Sequence, residues 1–168
     1  MKKVLLAIDG IDPTIKIFRY ALELCKWTKS ELNVLQIMSI QNTNKYFSRI
    51  HKKSEIFKNY FEKSMIAVTY AEAGEHKIAK EIMHKAMYNM KKILPESEQA
   101  GVFCHIIQKK GETDKEIINY VKKHRDVVFT IYDDAYQEGN DNTVLKEKKR
   151  LVNRIKQKIC IPLLVFNN

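Results

Sequence analysis

The run Val4-Leu5-Leu6-Ala7-Ile8 is apolar without a break. A strand with one wet face alternates polar and apolar side chains, so an unbroken run asks for cover on both faces. That is the signature of a central parallel strand, and a parallel neighbour requires a crossover connection, usually a helix. The rest of the chain supplies the partners in the right order. Asp12-Pro13 reads as a helix start, a capping residue followed by proline at the first helical position. Phe18, Ala21, Leu22 and Cys25 follow on one stripe. Leu32 to Met38 reads as the second strand and Gly101 to Ile107 as the third. Thr113-Asp114-Lys115-Glu116 has the form of a capping box opening a helix with Ile117, Ile118 and Val121 inward. Val127 to Tyr132 makes a fourth strand, a basic helix spans about Thr143 to Lys158, and Ile161 to Phe166 closes the chain. Alternating strands and helices specify a doubly wound, Rossmann-like α/β domain.

At 168 residues the chain is one domain, residues 1–168. Its longest connection joins the second and third strands. There Ile78, Ile82, Ala86, Met90 and Ile93 mark one face of a helix from Glu75 to Leu94. Ahead of it lies an insertion, residues 42–74, in which Tyr46, Phe47, Ile50, Phe57, Tyr60 and Phe61 stand among lysines. A structureless loop of that length is rare in a compact domain, so helical pieces are expected there.

Several function classes recede on composition. No apolar run approaches the ~20 residues of a membrane span. Met1-Lys2-Lys3 leads straight into strand residues and offers no cleavable signal, which predicts a cytoplasmic protein. Cys25, Cys104 and Cys160 are odd in number, far apart and set among apolar neighbours, as buried free thiols would be. The five histidines show no metal-ligand spacing. No nucleophile elbow or P-loop is present, so no enzymatic activity is expected. The net charge of +10 permits acidic partners. The lysines and arginines of the last helix, Lys146, Lys148, Lys149, Arg150, Arg154, Lys156 and Lys158, admit a nucleic-acid-binding reading. They alternate with an apolar face and lack stacking aromatics, which makes solvated surface the better account.

In this order and spacing the residues resemble the universal stress protein family over essentially the whole chain. The matching stretches are Val4-Leu5-Leu6-Ala7-Ile8-Asp9-Gly10, Ala21-Leu22-Glu23-Leu24, Leu32-Asn33-Val34-Leu35-Gln36-Ile37, Gly111-Glu112 ahead of Glu116-Ile117, and Pro162-Leu163-Leu164-Val165. The resemblance implies a five-stranded parallel sheet in the order 3-2-1-4-5, usually in a homodimer. It also implies a choice, because some members bind ATP and others do not. Those that bind carry Gly, two residues, Gly, nine residues, then Gly followed by Ser or Thr, after the fourth strand. This chain has only Gly139 there. Registered on Gly139, the first glycine falls on Tyr136 and the terminal pair on Lys149-Arg150; counting back from Pro162 gives the same pair. Counting forward from Asp126 puts the first glycine on Ile131.

Side chains at these positions block the close approach of backbone to phosphate. Lys149 and Arg150 still offer a point charge and a fork to an anion. The candidate site implied by the resemblance is therefore a degenerate nucleotide crevice comprising Ala7, Ile8, Asp9, Ile37, Ile131, Gly139, Lys149 and Arg150. It lies where strand order reverses, beyond the carboxyl ends of the strands. In ATP-binding members the aspartate at the Asp9 position helps hold the nucleotide; a hydrogen bond to a nearby turn would explain Asp9 equally. Asp133 and Asp134 read as turn residues, and Asp12 as a cap. The expected function is a non-enzymatic stress-response or regulatory protein, a homodimer joined through the fifth strand, working with a protein partner. It needs no cofactor or metal and binds ATP weakly or not at all. The alternative is an ATP- or AMP-binding switch using Asp9, Lys149 and Arg150.

Overall fold

The computed structural model describes residues 1–11, 13–39, 71–133 and 142–166, with backbone alone at 71–79, 81–82 and 142–144. Five strands, β1 (Lys3–Asp9), β2 (Glu31–Met38), β3 (Cys104–Lys110), β4 (Val127–Asp133) and β5 (Leu163–Phe166), form one sheet. Its order is β3-β2-β1-β4-β5, and every neighbouring pair is parallel. The helices are α1 (Ile15–Thr28), α2 (Ala71–Gln99), α3 (Thr113–Lys123) and α4 (Asn142–Lys158). The doubly wound architecture and the strand order are those expected.

The unbroken run of β1 divides between two cores by simple alternation. Val4, Leu6 and Ile8 pack with Phe18, Ala21, Leu22 and Cys25 of α1 and with Met90 and Ile93 of α2. Leu5 and Ala7 pack with Ile117 and Tyr120 of α3 and Ile155 of α4. Each large side chain so buried contributes about 1.5–3 kcal/mol, and of the other strands β2 alone is as uniformly enclosed, buried from Leu32 to Met38.

Element boundaries differ from the sequence reading where turn chemistry or tertiary contacts override pattern. Gly101 does not begin the third strand; it ends α2, in the left-handed conformation (φ 66°). Its N–H bonds the Glu98 carbonyl and the Val102 N–H that of Ser97, the paired bonds of a Schellman stop. The strand is accordingly Cys104–Lys110. Helix α2 runs through Pro95 instead of stopping at Leu94. Its last turn is held from outside by the two-pronged Arg19–Glu96 pair at 2.8 and 3.0 Å, and from within by the buried Ser97, whose hydroxyl donates to the Leu94 carbonyl at 2.8 Å. Thr14, not Asp12, is the N-cap of α1, and Glu112, not Thr113, that of α3; neither side chain caps its own helix. Ladder pairing of β5 begins at Leu163, although the Pro162 carbonyl already accepts the Thr130 N–H.

The thiols are all free but not all buried. Cys25 is enclosed, Cys104 half-buried and Cys160 exposed. Burial pushes the Cys25 thiol up to about 12 and the Cys104 thiol up to about 11. No helix among the described residues is long and apolar enough to cross a membrane. Insertion residues 42–70 lie outside the described residues; 71–74 form the first turn of α2.

Candidate functional site

Strand order reverses between β1 and β4, so their carboxyl ends open the crevice in which such sheets bind ligands. Among the described residues, two carboxylates stand there. Asp9 ends β1, and Asp133, paired in register with Ile8, ends β4. Because successive strand residues face opposite sides, the two point apart: Asp9 toward the α3 layer, Asp133 toward the α1 layer.

Asp9 is 7% exposed. Its Oδ2 accepts the Thr113 hydroxyl at 2.7 Å and the Tyr132 hydroxyl at 3.3 Å. Thr113 is the first residue of α3, so a strand-end carboxylate ties down the start of a helix 104 residues further along. Asp133 is 1% exposed and does the same for α1. It accepts the Thr14 N–H on Oδ2 and the Thr14 hydroxyl on Oδ1, both at 3.1 Å. Helix α1 has no acidic residue in its first turn, so Asp133 supplies the negative charge its N-terminal dipole favours. Asp133 is therefore a buried anchor rather than a solvated turn residue.

A third polar element closes the opposite flank. Gln36, fully buried, donates from Nε2 to the carbonyls of Gly10 and Ile11, both at 3.0 Å. Its Oε1 accepts the Gln108 amide at 2.9 Å, and Gln108 Nε2 also reaches the Met83 carbonyl at 3.4 Å. This chain of amides fixes the exit of β1 against β2, β3 and α2. Gly10, at φ 145°, holds the backbone conformation that turns its carbonyl to Gln36.

The sequence-derived site residues separate into three groups. Ala7, Ile8, Ile37 and Ile131 have no exposed surface: Ile8 and Ile131 belong to the α1–α2 core, Ala7 and Ile37 to the α3–α4 core. Asp9 reaches the crevice, engaged by protein hydroxyls. Lys149 and Arg150 are exposed in the interior of α4, roughly 10–12 Å along the axis from its first residue at 1.5 Å per residue. At that depth their backbone N–H groups close intrahelical bonds and are not available to a phosphate. Among the described residues, no hydrogen bond or ion pair joins either to Asp9 or Asp133. Gly139, Asp134, Tyr136 and Asp12 lie outside the described residues. No group of three or more His, Cys, Asp or Glu among the described residues could hold a metal ion.

Thr14, Tyr132, Gln36 and Gln108 escaped the sequence reading as site residues, and Thr113 entered it only as the cap of its own helix. Only Gln36 carried a signal. It shares a face with Leu32 and Val34 inside an apolar strand, where an amide must find buried partners.

No protein-family model matches the sequence, and no curated protein does. Solved structures do. The universal stress protein UspA from Lactobacillus plantarum is 10% identical, with 99% of this chain and 97% of that chain covered at TM-score 0.60. A universal stress protein family member from Burkholderia pseudomallei is 7% identical, covering 97% and 96% at 0.57. An Arabidopsis thaliana member, solved with AMP bound, is 14% identical, covering 99% and 91% at 0.54. Identities this low speak for the fold. With the sheet order and the ordered sequence signatures, they identify this chain as universal-stress-protein-like, a domain with that family's fold.

Proposed function

We propose that this chain is a non-enzymatic regulatory protein of the universal stress protein type, working in the cytoplasm as a homodimer with weak or no ATP binding. The observation that carries the reading is the engagement of Asp9. A nucleotide reaching for this carboxylate meets an Oδ2 that already accepts the Thr113 and Tyr132 hydroxyls, and releasing Thr113 would loosen the start of α3. The terminal pair of the phosphate motif, lysine and arginine here, sits inside a helix instead of at its donor-rich end.

A comparison of the two sheet edges supports the dimer. β3 is guarded by the exposed Lys109 and Lys110, charged residues of the kind that discourage edge-to-edge pairing. β5 is Leu-Leu-Val-Phe, partly exposed throughout and without a charge. Two-fold pairing of β5 satisfies its open N–H and C=O groups and closes the assembly.

Calorimetry against ATP, ADP and AMP, with and without Mg²⁺, tests the crevice. The expected result is no binding tighter than about 100 µM, roughly −5.5 kcal/mol; a micromolar dissociation constant refutes it. The second reading is a nucleotide switch, favoured by the AMP bound in the Arabidopsis structure and by a solved universal stress protein in complex with cAMP. Under it, Asp9→Ala and the pair Lys149→Ala with Arg150→Ala each weaken binding.

A further inference from the structure

Most of the chain's excess positive charge sits on one helix. α4 holds seven of its lysines and arginines against a single acid, Glu147, while the whole protein carries +10. Elsewhere four surface cations are matched: Lys3 with Asp126, Arg19 with Glu96, Lys26 with Glu23, Lys115 with Glu112. On α4, Arg154 pairs with Asp114 at 2.7 Å. Lys146, Lys149, Arg150, Lys156 and Lys158 are exposed and have no carboxylate partner among the described residues.

Their placement is ordered. Lys146, Arg150, Arg154 and Lys158 recur every fourth residue, forming one oblique ridge with about 6 Å of rise per step. Like charges four apart on a helix repel, so the ridge opposes the stability of the helix that carries it. The apolar side of α4 is already spent on the protein's own core through Leu151, Val152 and Ile155. What remains outside is cationic and polar.

We infer that the outer ridge of α4 is a docking surface for an acidic polypeptide segment, in particular a helix with carboxylates at every fourth position. This names the class of partner for the regulatory reading above and rests on it. Three observations select a carboxylate-bearing chain. Asp114 shows a carboxylate seated on the ridge, on Arg154. The planar forks of Arg150 and Arg154 match carboxylates in two-pronged geometry. The one large hydrophobic exposed on α4 among the described residues is Leu145, so the stacking aromatics that hold single-stranded nucleic acid are missing from this face. A partner helix with acids four apart repeats the ridge's own rise.

The test uses the full chain and two probes, a fluorescent helical 20-residue peptide with glutamates four apart and a 20-base-pair DNA duplex, in anisotropy titrations at about 50 and 150 mM salt. Wild type is expected to bind the peptide more tightly than the duplex. Lys146→Glu with Arg150→Glu should weaken peptide binding by about tenfold or more. A control on the opposite layer, Lys16→Glu with Lys91→Glu, changes the net charge equally and should cost less than about threefold. The neutral pair Lys146→Gln with Arg150→Gln, checked for native circular dichroism, should fall between. Equal losses in ridge and control variants would show bulk charge alone. Tighter binding of the duplex would make the face a nucleic-acid surface, and no peptide binding at 50 mM salt would leave it without this partner; each result overturns the inference. The ATP titration reads the crevice and this one reads α4, so either proposal can fail alone.

Discussion

The buried carboxylate of Asp133 offers the sharpest test of how the crevice is built. Replacing it with asparagine keeps the volume and one carbonyl-like acceptor, but removes the charge at the start of α1. One of the two Thr14 donors is then left facing an amide NH2. A hydrogen bond to a charged group contributes about 1.5–3 kcal/mol, and an unpaired buried donor costs about 1–3 kcal/mol. The helix-dipole contribution adds about 0.3–1 kcal/mol. These effects overlap on the same atoms, so Asp133→Asn is expected to destabilise by about 2–3 kcal/mol in total. Thr14→Val removes the hydroxyl alone and should cost about 1 kcal/mol. In the double variant the two losses should fall short of additive by about 1 kcal/mol, the coupling expected of direct partners. Urea denaturation followed by far-ultraviolet circular dichroism is the appropriate assay, since Trp27 is 85% exposed and its emission reports little of the core. With a slope of about 2 kcal/mol/M, the Asp133→Asn midpoint should fall by about 1–1.5 M at unchanged slope. A change within about 0.5 kcal/mol is what a solvated turn residue gives, and it would refute the anchor.

Three further outcomes follow from other sites. Thr130 is fully buried and its hydroxyl has no hydrogen-bond partner among the described residues, so the isosteric Thr130→Val should stabilise by about 1 kcal/mol; a lower urea midpoint would mean the hydroxyl is satisfied. Thiol labelling at pH 8 should modify the exposed Cys160 quickly and spare Cys25, which burial holds up to about 12; its thiolate is then about one part in ten thousand, and labelling of all three at one rate would show an open core. Light scattering should report about twice the 19.8 kDa chain mass, with Val165→Lys shifting the protein toward monomer; a wild type that stays monomeric at high micromolar concentration would show β5 protected in another way.

Much of the fold was legible because hydrophobic period and strand–helix alternation are local signals. The β1 run, the α1 stripe and the inward Ile117 needed no tertiary information. The errors fell where one residue serves two grammars. Gly101 suits a strand start or a helix stop, and only the bonds to Glu98 and Ser97 decide for the stop. Thr113 and Glu116 have the spacing of a capping box, but the hydroxyl finds a better acceptor in Asp9. Proline ends most helices, yet Pro95 is carried because Glu96 and Ser97 hold the following turn.

The site was less legible than the fold for a related reason. A motif count places Lys149 and Arg150 by their distance from Pro162, and a count is blind to where α4 begins. Starting at Asn142, the helix absorbs both residues into its interior and closes their N–H groups. At the other end of the crevice, Asp9 sits where the resemblance puts it, while its partners Thr113 and Tyr132 lie 104 and 123 residues away. No periodicity reports such pairs. The same holds for Asp133 and Thr14, 119 residues apart. Each carboxylate at the reversal of strand order thus holds the first turn of a helix on its own side of the sheet. The end of the sheet that serves ligands in this architecture here serves the packing of α1 and α3. A ligand at Asp9 therefore meets contacts that hold the fold, and the edge of β5 and the ridge of α4 are the surfaces we propose for partners.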